Sequence, residues 1–326
     1  MKVNYKNQEN ISFKSFWSRN SVKKGLEFAS NNGALFAATT TLALSAGVRP
    51  LAIMATPDTK KENKSIACAK SIISGLLEFG LTLAISAPIA AAFKKIDKNP
   101  EKFLKKETVK ALINDSKSLK ESKAYSLATQ LFKLGLGFAV VIPKSILTAM
   151  GIPYILDNCL NKKESLEQNQ GGEISFQGKN DNIAKFLGKI LDKKALQEFA
   201  IKHKESNFPL HIFALKDIFA TAAFIQQSNK NKKIKEEQKP FLAKNSIIST
   251  ALSLFSSYTI DKLTDKQAEK IINKIKQENI NDPRLHKYLE GFKIIKPIFI
   301  LAIVYYTIIP IVSTYLADMK KQTSKN

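Results

Sequence analysis

PIFILAIVYYTIIPIVSTYLA, from Pro297 to Ala317, carries no charged residue along its whole length. A helix needs about 20 apolar residues to cross the hydrocarbon core of a bilayer, so this stretch is long enough to span. A second stretch, Ser71 to Phe93, has Glu78 as its only charge. Four weaker ones accompany them. Gly33 to Thr56 is interrupted by Arg49-Pro50. Leu131 to Leu160 holds Lys133, Lys144, Pro143 and Pro153. Residues 208–226 contain Lys216-Asp217, and residues 246–260 are short and rich in serine. The expected fold is therefore all-α: a multi-pass helical membrane protein of five to six apolar helices with basic helical connectors.

Composition narrows the function classes. The 326 residues include 51 Lys and Arg against 28 Asp and Glu, a net charge of +23. Only Arg19, Arg49 and Arg284 are arginines. Base-edge reading leans on the arginine fork, and the aromatic residues sit in apolar runs rather than among the lysines. Specific nucleic-acid binding is not expected. Lysines flanking apolar helices suit a bilayer with anionic headgroups, which is the expected partner, and self-association fits the same surface. Two cysteines, Cys68 and Cys159, exclude a disulfide scaffold, and three histidines leave little for a metal centre. There is no P-loop, GxSxG or HExxH motif, so neither enzyme activity nor a cofactor is expected. The basic stretch before Gly33 is too long for an ordinary signal-peptide n-region, and a cytoplasmic-membrane location is expected in a bacterial cell.

The chain also resembles itself. KKGLEFA at Lys23 to Ala29 recurs as KKALQEFA at Lys193 to Ala200, and AKSIIS at Ala69 to Ser74 as AKNSIIS at Ala243 to Ser249. Ile11-Ser12-Phe13 recurs at Ile174-Ser175-Phe176, and Ile152-Pro153 before Lys162-Lys163 matches Ile309-Pro310 before Lys320-Lys321. The matches are collinear, which points to an internal duplication. The expected organisation is a basic N-terminal segment 1–32, a first three-helix half 33–163, a flexible linker 164–182 around EQNQGGE, and a second half 183–326. Three crossings per half, in sequence, place the halves inverted to one another.

Charge bias does not orient such a bundle. With six crossings the N-terminal side collects basic groups of 6, 10, 6 and 3, or 25, and the other side 4, 9 and 9, or 22. Five crossings, with residues 131–160 re-entrant, give 36 against 13. Between the segments, Asn99-Pro100 is expected to open a helix through EKFLKKETVKALIND. A capping box, Thr264 with Gln267, is expected to open another that stops near Asn281-Asp282-Pro283.

Charges inside apolar segments are costly and mark candidate sites. Glu78, Lys144, Arg49, Lys216 and Asp217 are those candidates, and Glu78 with Lys144 are expected to pair at depth. Pro50, Pro88, Pro143, Pro153 and Pro310 are candidate helix breaks that could expose backbone to a solute. The expected function is transport or permeation of a small solute or ion at the interface of two duplicated halves. The alternative is a non-catalytic membrane-anchored scaffold whose lysine-rich connectors hold anionic lipid or a partner.

Overall fold

A computed structural model describes residues 16–113, 116, 118–157, 180–206 and 208–319. The described residues are helical, with no strand among them. The helices are α1 Asn20–Asn31, α2 Gly33–Ala43, α3 Arg49–Met54, α4 Lys61–Leu81, α5 Ala87–Lys98, α6 Pro100–Phe103 and α7 Lys106–Ile113. They continue as α8 Lys123–Ile155, α9 Asn180–Leu191, α10 Lys194–His203, α11 Phe208–Lys230, α12 Lys239–Glu278, α13 Leu285–Ile300 and α14 Ile309–Met319. Three π-helical stretches fuse neighbours into long rods: Leu44–Val48 joins α2 to α3, Thr82–Ser86 joins α4 to α5, and Leu301–Ile308 joins α13 to α14.

The prolines explain these joints. Pro50, Pro88 and Pro310 each lie two residues beyond a π stretch. Proline lacks the N–H for the i−4 carbonyl and crowds it, and a wider turn just before it relieves that crowding without ending the helix. Pro143 and Pro153 behave differently from the expectation of a break, because α8 runs through both. Part of the reason is local. The carbonyl that Pro153 leaves without its helical donor is that of Ala149, and the Asn231 side-chain amide donates to it at 2.9 Å.

Two further expectations change. Asn99-Pro100 opens only α6; Leu104 is extended, and α7 starts afresh at Lys106. The Thr264–Gln267 pair starts no helix, since α12 runs unbroken from Lys239 to Glu278 and absorbs residues 246–260. Propagating a helix costs less than nucleating one, so good helix formers on both sides carry α12 through this site.

Four rods are long and apolar enough to cross a membrane: Leu35–Met54, Lys61–Lys98, Lys123–Ile155 and Ala302–Met319. α11 and α12 fall outside that group. Several large apolar side chains face outward, and polar side chains are buried alongside the apolar core. Leu51 and Phe255 are 72% and 70% exposed, whereas Ser313 and Thr314 are fully buried beside Asn245 and Ser246. Asn245 donates to both Ser313 Oγ (3.3 Å) and Thr314 Oγ1 (3.2 Å), so hydrogen bonds add to the apolar contacts where these rods meet.

Three apolar clusters sort the rods by end. One joins the C-terminal end of α5 to α6, α7, the start of α8, α9 and α10 through Ile96, Phe103, Leu112, Leu187 and Leu191. Another joins α1, the C-terminal half of α12 and the start of α13 through Leu26, Ile275, Tyr288 and Phe292. Lys94 reaches from α5 to the Asn31 carbonyl at the end of α1, so both clusters occupy one end. The third, with Ile53, Ile66, Ile152, Leu242 and Ala317, gathers the C-terminal ends of α3, α8 and α14 with the starts of α4 and α12 at the other. The starts of α4 and α12 therefore share an end. α4 and α12, which carry the AKSIIS and AKNSIIS stretches, thus run in the same direction, unlike the inverted arrangement expected from the sequence. Asp157, just after α8, and Asn180, where α9 begins, consequently lie at opposite ends. Residues 164–179 of the expected linker, the Cys159 thiol and the matches at Ile11–Phe13, Ile174–Phe176, Lys162-Lys163 and Lys320-Lys321 lie outside the described residues.

Contacts recur in pairs. α1 packs on α13, and α10 packs on α8. α2 and α3 pack on α13 and α14, while α11 packs on α8. α4 meets α8 as α12 meets α14. Two glycines set the closest approaches. A Cβ on Gly291 would stand 1.9 Å from the Leu26 carbonyl oxygen, and one on Gly188 would stand 2.0 Å from that of Phe103.

Candidate functional site

α4, α8 and α11 lie side by side because each turns a stripe of small and polar residues inward. On α4, Lys70, Ser74 and Glu78 recur every four residues and share one face. On α8, Lys133, Gly137, Lys144 and Thr148, spaced 4, 7 and 4 apart, also share one face. On α11 the facing residues are Lys216, Asp217, Ala220 and Thr221. Between them lies a cavity of about 490 Å³ lined by all of these. That volume is in the range of small-molecule sites.

The cavity contains four of the five charges singled out from the sequence. Lys144 donates to the Glu78 carboxylate and forms an ion pair across the α4–α8 interface. Lys216 and its neighbour Asp217 are 3.6 Å apart. Arg49 is not part of this cavity. It lies on α3, donates weakly to Ser249 Oγ at 3.4 Å, and lines a separate space of about 40 Å³.

Two cavity lysines were missed by the sequence reading. Lys70 sits at the edge of an apolar segment, where it passes for a flanking charge. Its ammonium donates to Ser246 Oγ at 2.6 Å and stands 4.3 Å from the Phe224 ring centre. Lys133 stands 5.3 Å from the Phe93 ring centre. Both were findable from the four-residue spacing with Ser74 and Glu78, and with Gly137. Cation–π contacts of this kind attract an ammonium to a ring face and help to hold it in place.

Ser145 Oγ donates to the Ala220 carbonyl at 3.1 Å, and the Thr221 and Thr250 hydroxyls are 2.5 Å apart, so hydroxyls brace the walls. Of the candidate prolines, Pro310 borders the small space by Arg49, and none lines the large cavity. Among the described residues, no group of three or more His, Cys, Asp or Glu is placed to hold a metal. With four ammonium groups and two carboxylates, the cavity can attract an anion while its ion pairs offer a path for exchanging partners. No protein-family model, no curated protein and no solved structure matches this chain.

Proposed function

We propose that this chain is an integral membrane protein that binds and passes a small solute or ion through the cavity between α4, α8 and α11. The observation that carries the reading is convergence. Glu78, Lys144, Lys216 and Asp217, from three separate apolar segments, meet at one space inside a bundle with several large apolar side chains facing outward. Charges at that depth are expensive and are kept where a pathway or ligand uses them.

Charge at the two ends supports the membrane placement. The end that holds α1 carries three described basic residues before α2, nine from Lys94 to Lys123, six from Lys185 to Lys204 and nine from Lys262 to Lys296, or 27. The other end carries Lys60, Lys61, Lys64 and six from Lys230 to Lys244, or nine. Such a difference orients the α1 end toward the cytoplasm. The bias missing from a simple alternating count arises because α9, α10 and the end of α12 lie at the same end as α1.

The paired contacts support an internal duplication. α1 and α10 carry the KKGLEFA and KKALQEFA matches, and each packs on the third long rod of the opposite half. The cavity then belongs to the junction of the halves, with α4 and α8 from the first and α11 from the second.

A second reading, a membrane scaffold with fewer crossings, is favoured by one observation. Asp157 and Asn180 lie at opposite ends, and the residues joining them are polar. Backbone of that kind does not cross lipid unless protein or water surrounds it. A scaffold would use the lysine-rich end to hold anionic headgroups and would need no cavity chemistry.

Reconstitution separates the two. Vesicles containing the purified chain should release entrapped chloride or potassium faster than empty vesicles, and Glu78→Gln should abolish the excess while alkaline extraction still leaves the protein in the membrane. Equal leakage from loaded and empty vesicles across a panel of small ions and neutral solutes would remove the transport reading and leave the scaffold.

A further inference from the structure

We infer a second binding site, for a single small inorganic anion, held between Arg49 and Lys70. The proposal goes beyond the transport reading and does not need it, since binding can occur without passage. Both side chains line the same cavity of about 40 Å³, together with Ser71, Asn245, Ser313 and Thr314. The cavity has no carboxylate on its walls. Among the described residues, neither Arg49 nor Lys70 has an acid within ion-pair distance.

The charges ask for a partner. Arg49 Nε is buried with no hydrogen-bond partner among the described residues, and the guanidinium makes a long bond of 3.4 Å from Nη2 to Ser249 Oγ. Lys70 spends one donor on Ser246 Oγ and has three. Two cations brought together inside the bundle repel one another, and an unpaired buried donor on a charged group is costly. An anion between them answers both costs. Arg49 offers Nε–H, Lys70 its free ammonium hydrogens, and Asn245, Ser313 and Thr314 line the remaining wall.

Size selects the class. A space of about 40 Å³ has room for a few waters or for one small anion such as a halide or nitrate. Nucleotides and lipid phosphates are too large. The cation that closes the site, Lys70, also lines the large cavity between α4, α8 and α11. Occupancy of the small site therefore changes the charge that the large cavity presents.

The test uses the full chain in detergent micelles at constant sodium. Chloride-35 NMR linewidth should broaden with protein, and nitrate or bromide should relieve the broadening while gluconate does not. Arg49→Gln should weaken chloride binding at least tenfold, and Lys70→Met should do likewise. Lys232→Gln, which removes an exposed charge that lines neither cavity, should leave binding within about twofold and so reports on loose surface binding. Circular dichroism identifies which variants are folded. Absence of nitrate-sensitive broadening in the unaltered protein would overturn the site, whether or not vesicle transport is seen. Equal broadening in any folded Arg49 or Lys70 variant would overturn it as well.

Discussion

Lys144 of α8 donates a hydrogen bond to the Glu78 carboxylate of α4 at the wall of the large cavity. The two side chains are 24% and 46% exposed, so the cavity screens the pair and its net worth is about 1 kcal/mol or less. Removing one partner has a different effect, because it leaves a lone charge facing the cavity. Glu78→Gln and Lys144→Gln should each change solute flux at least tenfold while lowering the melting temperature by only a few degrees. The double variant should recover the stability but not the flux. A double-mutant cycle on melting temperature and vesicle flux checks both parts.

Gly291 sits against the backbone of α1, and a methyl group there would overlap the Leu26 carbonyl. Backbone on one side and α13 on the other leave no side chain to swing away. Gly291→Ala should destabilise the α1–α13 contact by about 1–3 kcal/mol. Gly25→Ala, on α1 itself, meets nothing within 4 Å and should be neutral or slightly stabilising. Limited proteolysis near residues 16–32 distinguishes them, with faster cleavage in the first variant alone.

Asp282 links the same two helices. The Arg284 backbone N–H donates to it at 3.0 Å, and the Tyr288 hydroxyl and Lys23 ammonium donate at 2.9 and 3.2 Å. These donors hold its carboxyl well below the ordinary range, the Arg284 N–H most strongly, and outweigh partial burial. A depressed carboxylate adds stability above its unfolded pKa, near 3.9, and loses that contribution as pH falls toward the folded value. Protease protection of α1 should therefore weaken below about pH 4. Asp282→Asn should start less protected at pH 7 and show a flatter response in that window.

Asn231 completes a hydrogen bond that Pro153 cannot make. Asn231→Leu should cost about 1–3 kcal/mol by leaving the Ala149 carbonyl without this partner. In a Pro153→Ala background the new N–H satisfies that carbonyl, and the same change should cost less. Paired thermal melts of the four proteins measure the difference.

Much of the fold is legible in composition. Uncharged Pro297–Ala317 and near-uncharged Ser71–Phe93 announce long helices, since such runs can be satisfied only by internal hydrogen bonds. Glu78 and Lys144 stand out because each is an isolated charge in an apolar run. What composition hides is direction and depth. The relation of Asp157 to Asn180 depends on which ends cluster, which is a matter of contacts such as Leu26 with Tyr288 rather than of periodicity. Proline shows the same limit. Pro153 and Pro310 look alike in sequence, yet one is absorbed by a distant amide and the other follows a widened turn.

The most direct test of the central account is which side of the membrane each end faces. With Cys68 and Cys159 first replaced by serine, single cysteines at Lys61, Lys232, Lys193 and Ile280 can be labelled in intact cells with a membrane-impermeant maleimide. All four positions are exposed. A membrane-spanning bundle with its α1 end inside predicts labelling at Lys61 and Lys232, and protection at Lys193 and Ile280 until the cells are opened. Labelling of all four, protection of all four, or any split that separates Lys61 from Lys232 would contradict it.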